Sequence, residues 1–350
     1  MKTGGWGRLA SIYIGTVIGA GFASGQEIIH FFAIFGIKGI WGIGIATVSF
    51  SVIGAIVLLS VYNRKIKGYE DLIFPIFGKN LGKVIEIVIT LFLLTGFCVM
   101  LAGSGAIFSQ QFNLSYNVGI YIMSIATFLT FIFSVKGISI VNIVLVPILL
   151  IGIVSVGSMV ILKEGLIFSN YEGASITNTG NWLTSAILYV SYNSIAAIVM
   201  MTSLLTIIPN KRTAIKGGLL GGLGLGLLAV FILIPTLIKY TDIQGLEIPM
   251  IKVAEVMGSK GGILYSFVLW FSMFTTAIAN GYGCIKRLAY LFDTKLNIIA
   301  CVFCICTIPL AKIGFTNLVS TLYPLFGYFG LFMIISIIGN FLIKQLKFKL

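Results

Sequence analysis

Apolar runs of roughly 20 residues, each closed by a short polar or glycine-rich turn, recur from one end of this chain to the other. Runs of that length match the ~30 Å hydrocarbon core of a bilayer at ~1.5 Å per helical residue. They predict ten spans, at about 8–35, 39–62, 82–111, 116–134, 138–162, 181–207, 213–239, 261–290, 295–311 and 315–343. Three polar stretches lie between them. Residues 67–79 mix polar and apolar positions as a short interfacial helix does. Residues 163–180 read as a loop, and residues 240–260, with Asp242, Glu247, Pro249, Lys252 and Glu255, as a helical lid. A turn at Ser134-Val135-Lys136-Gly137 separates the fourth and fifth spans.

Two spans break the pattern. Ile14-Gly15-Thr16-Val17-Ile18-Gly19-Ala20-Gly21-Phe22-Ala23-Ser24-Gly25-Gln26-Glu27 carries four glycines and ends in polar groups and a carboxylate. Each glycine weakens a helix by about 1 kcal/mol relative to alanine. A carboxylate at membrane depth is costly unless it is neutral, paired or beside water. Close helix packing explains the glycines but not Gln26 and Glu27, so the stretch predicts a break between two half-helices around 19–25. The sixth span holds Tyr189-Val190-Ser191-Tyr192-Asn193-Ser194 in an apolar setting and predicts a second break. Its hydroxyls and amide can satisfy freed backbone groups and also contact a ligand.

The chain has 350 residues, 58% hydrophobic and 9% charged, which excludes a soluble domain and predicts one transmembrane domain over 1–350. The formal charge of +13 does not point to nucleic acid, because the basic residues sit in particular loops. With the N-terminus inside, 17 of the 23 lysines and arginines fall on the inner side. That bias predicts a multi-pass cell-membrane protein in the lipid bilayer, with both termini cytoplasmic. Reading the N-terminus as a cleaved signal peptide would delete the first span and spoil this asymmetry.

The span lengths are two-fold. Spans one and six are both interrupted, and spans three and eight are both long. Five spans per half give the halves opposite orientation, so the expectation is an inverted repeat over about 8–162 and 181–343.

Gly19-Ala20-Gly21 in a broken first span resembles the Gly-small-Gly signature of the amino acid–polyamine–organocation superfamily. The loop Gly68-Tyr69-Glu70-Asp71-Leu72 with Phe77-Gly78-Lys79 resembles that superfamily's loop between spans two and three. The longer string Ile18 to Glu27 looks like the bacterial YkvI-type membrane proteins of that superfamily. The implied fold is an all-α polytopic membrane protein of the LeuT type, a five-plus-five inverted repeat with helices 1 and 6 broken. This chain departs from many relatives in stopping at ten spans.

The implied function is a secondary active transporter of a small zwitterionic solute, an amino acid in the first place. Gly19 and the amides of Ala20, Gly21 and Phe22 would meet its carboxylate. Ser191, Tyr192 and Asn193 would contact it, with Tyr192 and Phe97 covering it. The resemblance also implies a sodium site. LeuT-type symporters place a small residue, two spacers and two hydroxyl residues on span eight, here Ser272-Met273-Phe274-Thr275-Thr276. Position by position, the ligands become the carbonyls of Gly15, Ile18 and Ser272 with the hydroxyls of Thr275 and Thr276, a neutral oxygen set suited to a hard cation. Against this, adjacent threonines in membrane helices often bond back to their own carbonyls. Glu27 and Gln26 are candidates for coupling, which keeps a proton-coupled transporter open. A ligand sensor of the same fold that carries out no flux, as in germinant receptors, is the alternative from another class. No cofactor is implied beyond Na⁺ as coupling ion.

Other motifs weigh less. Gly217, Gly218, Gly221, Gly222, Gly224 and Gly226 lie inside an apolar span and read as small-residue packing, not as a nucleotide loop. The five cysteines all sit in apolar segments and read as small buried hydrophobes. His30, three residues after Glu27, shares its helical face. Glu86 pairs most simply with Lys83 or solvent. No nucleophile–base or metal-ligand constellation is visible, which argues against an enzyme.

Overall fold

Fourteen α-helices make up the computed structural model, which describes residues 5–133, 138–169 and 171–347. The turn expected over 134–137, with Lys136, and the terminal Lys2 and Lys349 lie outside the described residues. In order the helices are α1 Gly5–Val17, α2 Ala20–Ala23, α3 Gln26–Phe31, α4 Lys38–Arg64, α5 Tyr69–Phe112, α6 Tyr116–Phe133 and α7 Ile138–Glu164. They continue as α8 Trp182–Thr202, α9 Lys211–Ile238, α10 Tyr240–Ile243, α11 Pro249–Ala254, α12 Ser259–Leu291, α13 Leu296–Ala311 and α14 Phe315–Lys347. Eight of these are long and apolar enough to cross a membrane. The first predicted span is divided among α1, α2 and α3, and the ninth is the 16-residue α13. A helix satisfies every backbone group from within itself, which is what hydrocarbon demands.

The interfacial helix and the third span lie on the two sides of a kink in α5, where the backbone leaves the helical range at Gly78. Gly78 has φ +73°, a backbone angle open to glycine and strained for other residues. The predicted lid forms as α10, α11 and a 3₁₀ turn at Glu255–Met257.

The sixth span corrects an expectation. α8 runs unbroken through Tyr189–Ser194. It contains no glycine or proline, and Ser191, Asn193 and Ser194 turn back on their own helix. Ser191 Oγ donates to Ile187 O at 2.7 Å, Asn193 Nδ2 to Tyr189 O at 3.1 Å and Ser194 Oγ to Val190 O at 2.7 Å. Side chains satisfied this way leave the helix ladder intact. Irregular backbone starts only after Thr202.

The glycines of α9 serve packing, as expected. A Cβ on Gly218 would overlap the backbone of Gly54 and Ala55, and one on Gly222 would overlap the backbone of Ser51, so α4 and α9 touch main chain to main chain. Such close approach supplies the dispersion contacts that hold membrane helices together. Gly222→Ala is therefore expected to lower stability by roughly 1–3 kcal/mol, the usual cost of overpacking. Thermal unfolding of the detergent-purified variant, compared with Gly44→Ala, checks this, because a Cβ at Gly44 meets nothing within 4 Å.

Candidate functional site

The first span breaks twice. α1 stops at Val17, Ile18 and Gly19 are irregular, and α2 is a single turn followed by Ser24 and Gly25. Gly25 has φ +84°, which turns the chain into α3. Ser24 stitches the second break: its Oγ donates to Gly21 O at 2.6 Å and accepts from Gln26 N at 3.2 Å. Two carbonyls released there are taken up by distant elements. Tyr265 of α12 donates its hydroxyl to Ala23 O at 2.6 Å, and the Met250 amide of α11 donates to Ser24 O at 3.1 Å. The lid and the long helix α12 are thus both fastened to the break.

Glu27 stands one residue into α3 and is only 5% exposed. The Tyr192 hydroxyl, from α8, donates to Glu27 Oε2. Glu27 Oε1 lies against the Cα face of Gly21. A Cβ there would overlap that oxygen and come 3.6 Å from the Tyr323 hydroxyl of α14. Three further rings pack around the Tyr192 that bonds it. Tyr192 lies 4.7 Å from Tyr323, 5.6 Å from Phe31 in a stacked arrangement and 5.7 Å from Tyr189, centroid to centroid. Elements far apart in sequence, α2–α3, α8 and α14, therefore meet at one buried acid.

The other expected ligands divide. Ala20 and Phe22 are buried, and Gly19 is half-buried with open space where a Cβ would sit. Ser191 and Asn193 are buried on α8, each bonded within its own helix. Phe97 is buried away from the acid's ring cluster. It packs 4.8 Å from Phe303 and 6.3 Å from Phe131, against Gly281. Of the expected sodium ligands, Ile18, Ser272 and Thr275 are buried, while Gly15 and Thr276 are half-buried. Thr275 Oγ1 donates to Ser272 O at 3.0 Å, the bond back along its own helix. Gln26 and His30 are buried, and Gln26 Oε1 and His30 Nε2 have no hydrogen-bond partner among the described residues.

Tyr323, Tyr265 and Met250 were not among the sequence candidates. Tyr323 precedes Pro324 inside an apolar helix, a signal the sequence does contain. The proline cannot bond Ser320 O, and Asn178 Nδ2 takes that carbonyl at 2.9 Å.

The lid is anchored elsewhere too. Gln110 of α5 bonds both the amide and the carbonyl of Ile248, at 3.1 and 2.9 Å. Lys163 Nζ donates to Val256 O at 2.8 Å. Glu247 sits against the start of α14. Burial pushes its carboxyl above the usual range, and the amides of Thr316 and Phe315 with the Tyr116 hydroxyl pull it back.

No protein-family model matches the chain. The uncharacterized membrane protein YkvI of Bacillus subtilis strain 168 is 32% identical over 343 residues, covering 97% of this chain and 95% of that protein. The uncharacterized protein YyaD of the same strain is 25% identical over 328 residues, 93% and 94% of the two chains. Among solved structures, Mhp1, a nucleobase-cation-symport-1 family transporter in a closed conformation, superposes with a TM-score of 0.62 at 16% identity, over 91% of this chain and 74% of its own. A mutant of the Eremococcus coleocola manganese transporter gives 0.63 at 13% identity, over 95% and 78%. At these identities the likeness establishes the fold, an all-helical membrane fold of the LeuT type, and the solved neighbours are transporters, not enzymes.

Proposed function

The chain belongs to the family of the membrane protein YkvI, and from that premise we propose that it is a secondary active transporter. Its solute is small and bears a positively charged nitrogen, an amino acid or a simple amine, and it passes through the site at Glu27. One observation carries this: a 5%-exposed carboxylate at a double helix break, hydrogen-bonded from α8 and lying against Gly21 of α2. Such a group is expensive inside a bilayer and is kept where charge must be handled. The lid bonded to Ser24 O supplies a part that can open and close access to it. The names of the solved neighbours support transport as the class. Ten spans in a five-plus-five inverted repeat, forming one domain in the cell membrane with both termini cytoplasmic, complete the proposal.

The test is solute flux in proteoliposomes. Accumulation driven by an ion gradient is the expected result. Saturable binding without flux, with and without gradients, overturns transport in favour of a ligand sensor.

Glu27 favours a proton as the coupling ion. Sodium is the second reading, supported by the burial of Ser272 and Thr275 on α12. If sodium couples, replacing Na⁺ by K⁺ lowers uptake at least tenfold, on the order of 1.4 kcal/mol or more, and Thr276→Ala imitates the loss in Na⁺. Undiminished uptake in both cases removes sodium and leaves the proton.

A further inference from the structure

A groove of about 390 Å³ runs between α5 and α14, with Leu81, Val84 and Val88 on one side and Phe329, Phe332 and Met333 on the other. Leu81, Val84, Phe329 and Phe332 are exposed, so the groove opens sideways toward lipid. Ring pairs close its two ends. Phe77 packs on Phe332 at 5.6 Å and Phe92 on Phe326 at 5.3 Å, centroid to centroid. Between these pairs α5 offers only leucine, isoleucine and valine to the groove, and the gap stays open. From Leu81 to Val88 the helix rises ~10 Å, about two-thirds of the ~15 Å that one leaflet gives to the hydrocarbon core.

The lining says what kind of occupant fits. Membrane helices approach one another over glycine, alanine, serine and threonine, as α4 and α9 do at Gly218 and Gly222. Among the described residues none of these types lines the groove. Another helix would meet protruding rings and branched side chains there. A flexible hydrocarbon chain follows such a surface and gains dispersion contacts along its length. Charge marks one end. Lys79 and Lys83 are exposed beside Leu81, and among the described residues no carboxylate pairs with either. The nearby acids are engaged elsewhere: Glu86 Oε1 accepts from the Tyr69 hydroxyl at 3.2 Å and Asp71 Oδ2 from the Lys67 amide at 2.9 Å. In the orientation proposed above this is the cytoplasmic end, where lysine stems reach the headgroup level and attract anionic lipid.

We propose that the groove holds one acyl chain of an anionic phospholipid from the cytoplasmic leaflet, with its headgroup at Lys79 and Lys83. The chain fills the space between α5 and α14 as far as Leu325, which lines the groove two residues from Tyr323. The lipid therefore steadies the part of α14 that reaches the Glu27 site. The proposal concerns binding and stands whether the protein transports its solute or only senses it.

The experiment uses the purified chain in detergent, given dioleoyl phosphatidylglycerol or dioleoyl phosphatidylcholine and read by native mass spectrometry and thermal shift. The acyl chains are the same, so a difference reports the headgroup. One phosphatidylglycerol per chain is expected to stay bound and to raise the melting temperature, with an apparent affinity roughly tenfold above that of phosphatidylcholine. Lys79→Gln combined with Lys83→Gln is expected to remove that preference and to leave phosphatidylcholine binding unchanged. Val84→Trp fills the groove and is expected to abolish retention of both lipids. Ile87→Trp, also exposed on α5 but outside the groove, keeps retention and controls for the tryptophan itself. Equal affinity for the two lipids, retention undiminished in a folded Val84→Trp, or no lipid retained at all, each overturns the proposal. A wild-type dimer that Val84→Trp turns into a monomer overturns it too, because the groove then belongs to a second copy of the chain.

Discussion

Glu27→Gln is expected to reduce solute flux at least ~100-fold while the melting temperature of the ligand-free protein holds. The substitution keeps the side chain's length and shape and removes only its ability to carry charge. A cation held by a buried carboxylate loses several kcal/mol when that charge is removed, and about 2.8 kcal/mol already corresponds to ~100-fold. The stability expectation runs the other way. A glutamine avoids any cost of ionisation in hydrocarbon and still accepts from the Tyr192 hydroxyl, which donates to Glu27 in the native protein. A purely structural Glu27 gives the opposite pattern, a lower melting temperature with flux intact in the protein that remains folded. Flux and melting on the same preparation distinguish the two.

The second large effect is expected at Gly21. A Cβ there overlaps Glu27 Oε1 and approaches Tyr323. Gly21→Ala must therefore push the carboxylate off Tyr192 or shift α2, at roughly 1–3 kcal/mol in stability and with flux lost. Alanine suits a helix better than glycine does, by about 1 kcal/mol, so intrinsic propensity alone has the opposite sign. The coupling is measurable as a double-mutant cycle. Glu27→Asp withdraws the carboxylate by one methylene, and in that background Gly21→Ala is expected to cost less. Additive losses would separate Gly21 from Glu27.

The break in the first span was legible because glycine, polar residues and an acid coincide where hydrocarbon tolerates none of them. The expected break in the sixth span used half of that logic. Tyr189–Ser194 is polar, yet it lacks the glycine or proline that weakens a helix, and its serine hydroxyls found acceptors one turn back. Polarity alone marks a side chain that needs a partner. It does not mark a backbone that has come apart.

The sequence by itself determined what depends on local composition. It supplied the apolar runs of membrane helices, the short interfacial helix before the third span, the lid over 240–260, the glycine packing face of α9 and a first span that cannot stay helical through Gly19–Gly25. Only the tertiary structure decided which groups meet Glu27. Tyr192 lies 165 positions away in the chain and Tyr323 sits on the last helix. A tyrosine in an apolar helix looks the same whether its hydroxyl reaches an acid, as in Tyr192, or a backbone carbonyl, as in Tyr13 bonded to Phe50 O. Phe97 shows the converse, since nothing in its neighbours along the chain separates a ring at the site from one packed on Phe303. Helix rotation and crossing decide this, and they are set by the close-packed contacts of the whole bundle, to which no single stretch of sequence has access.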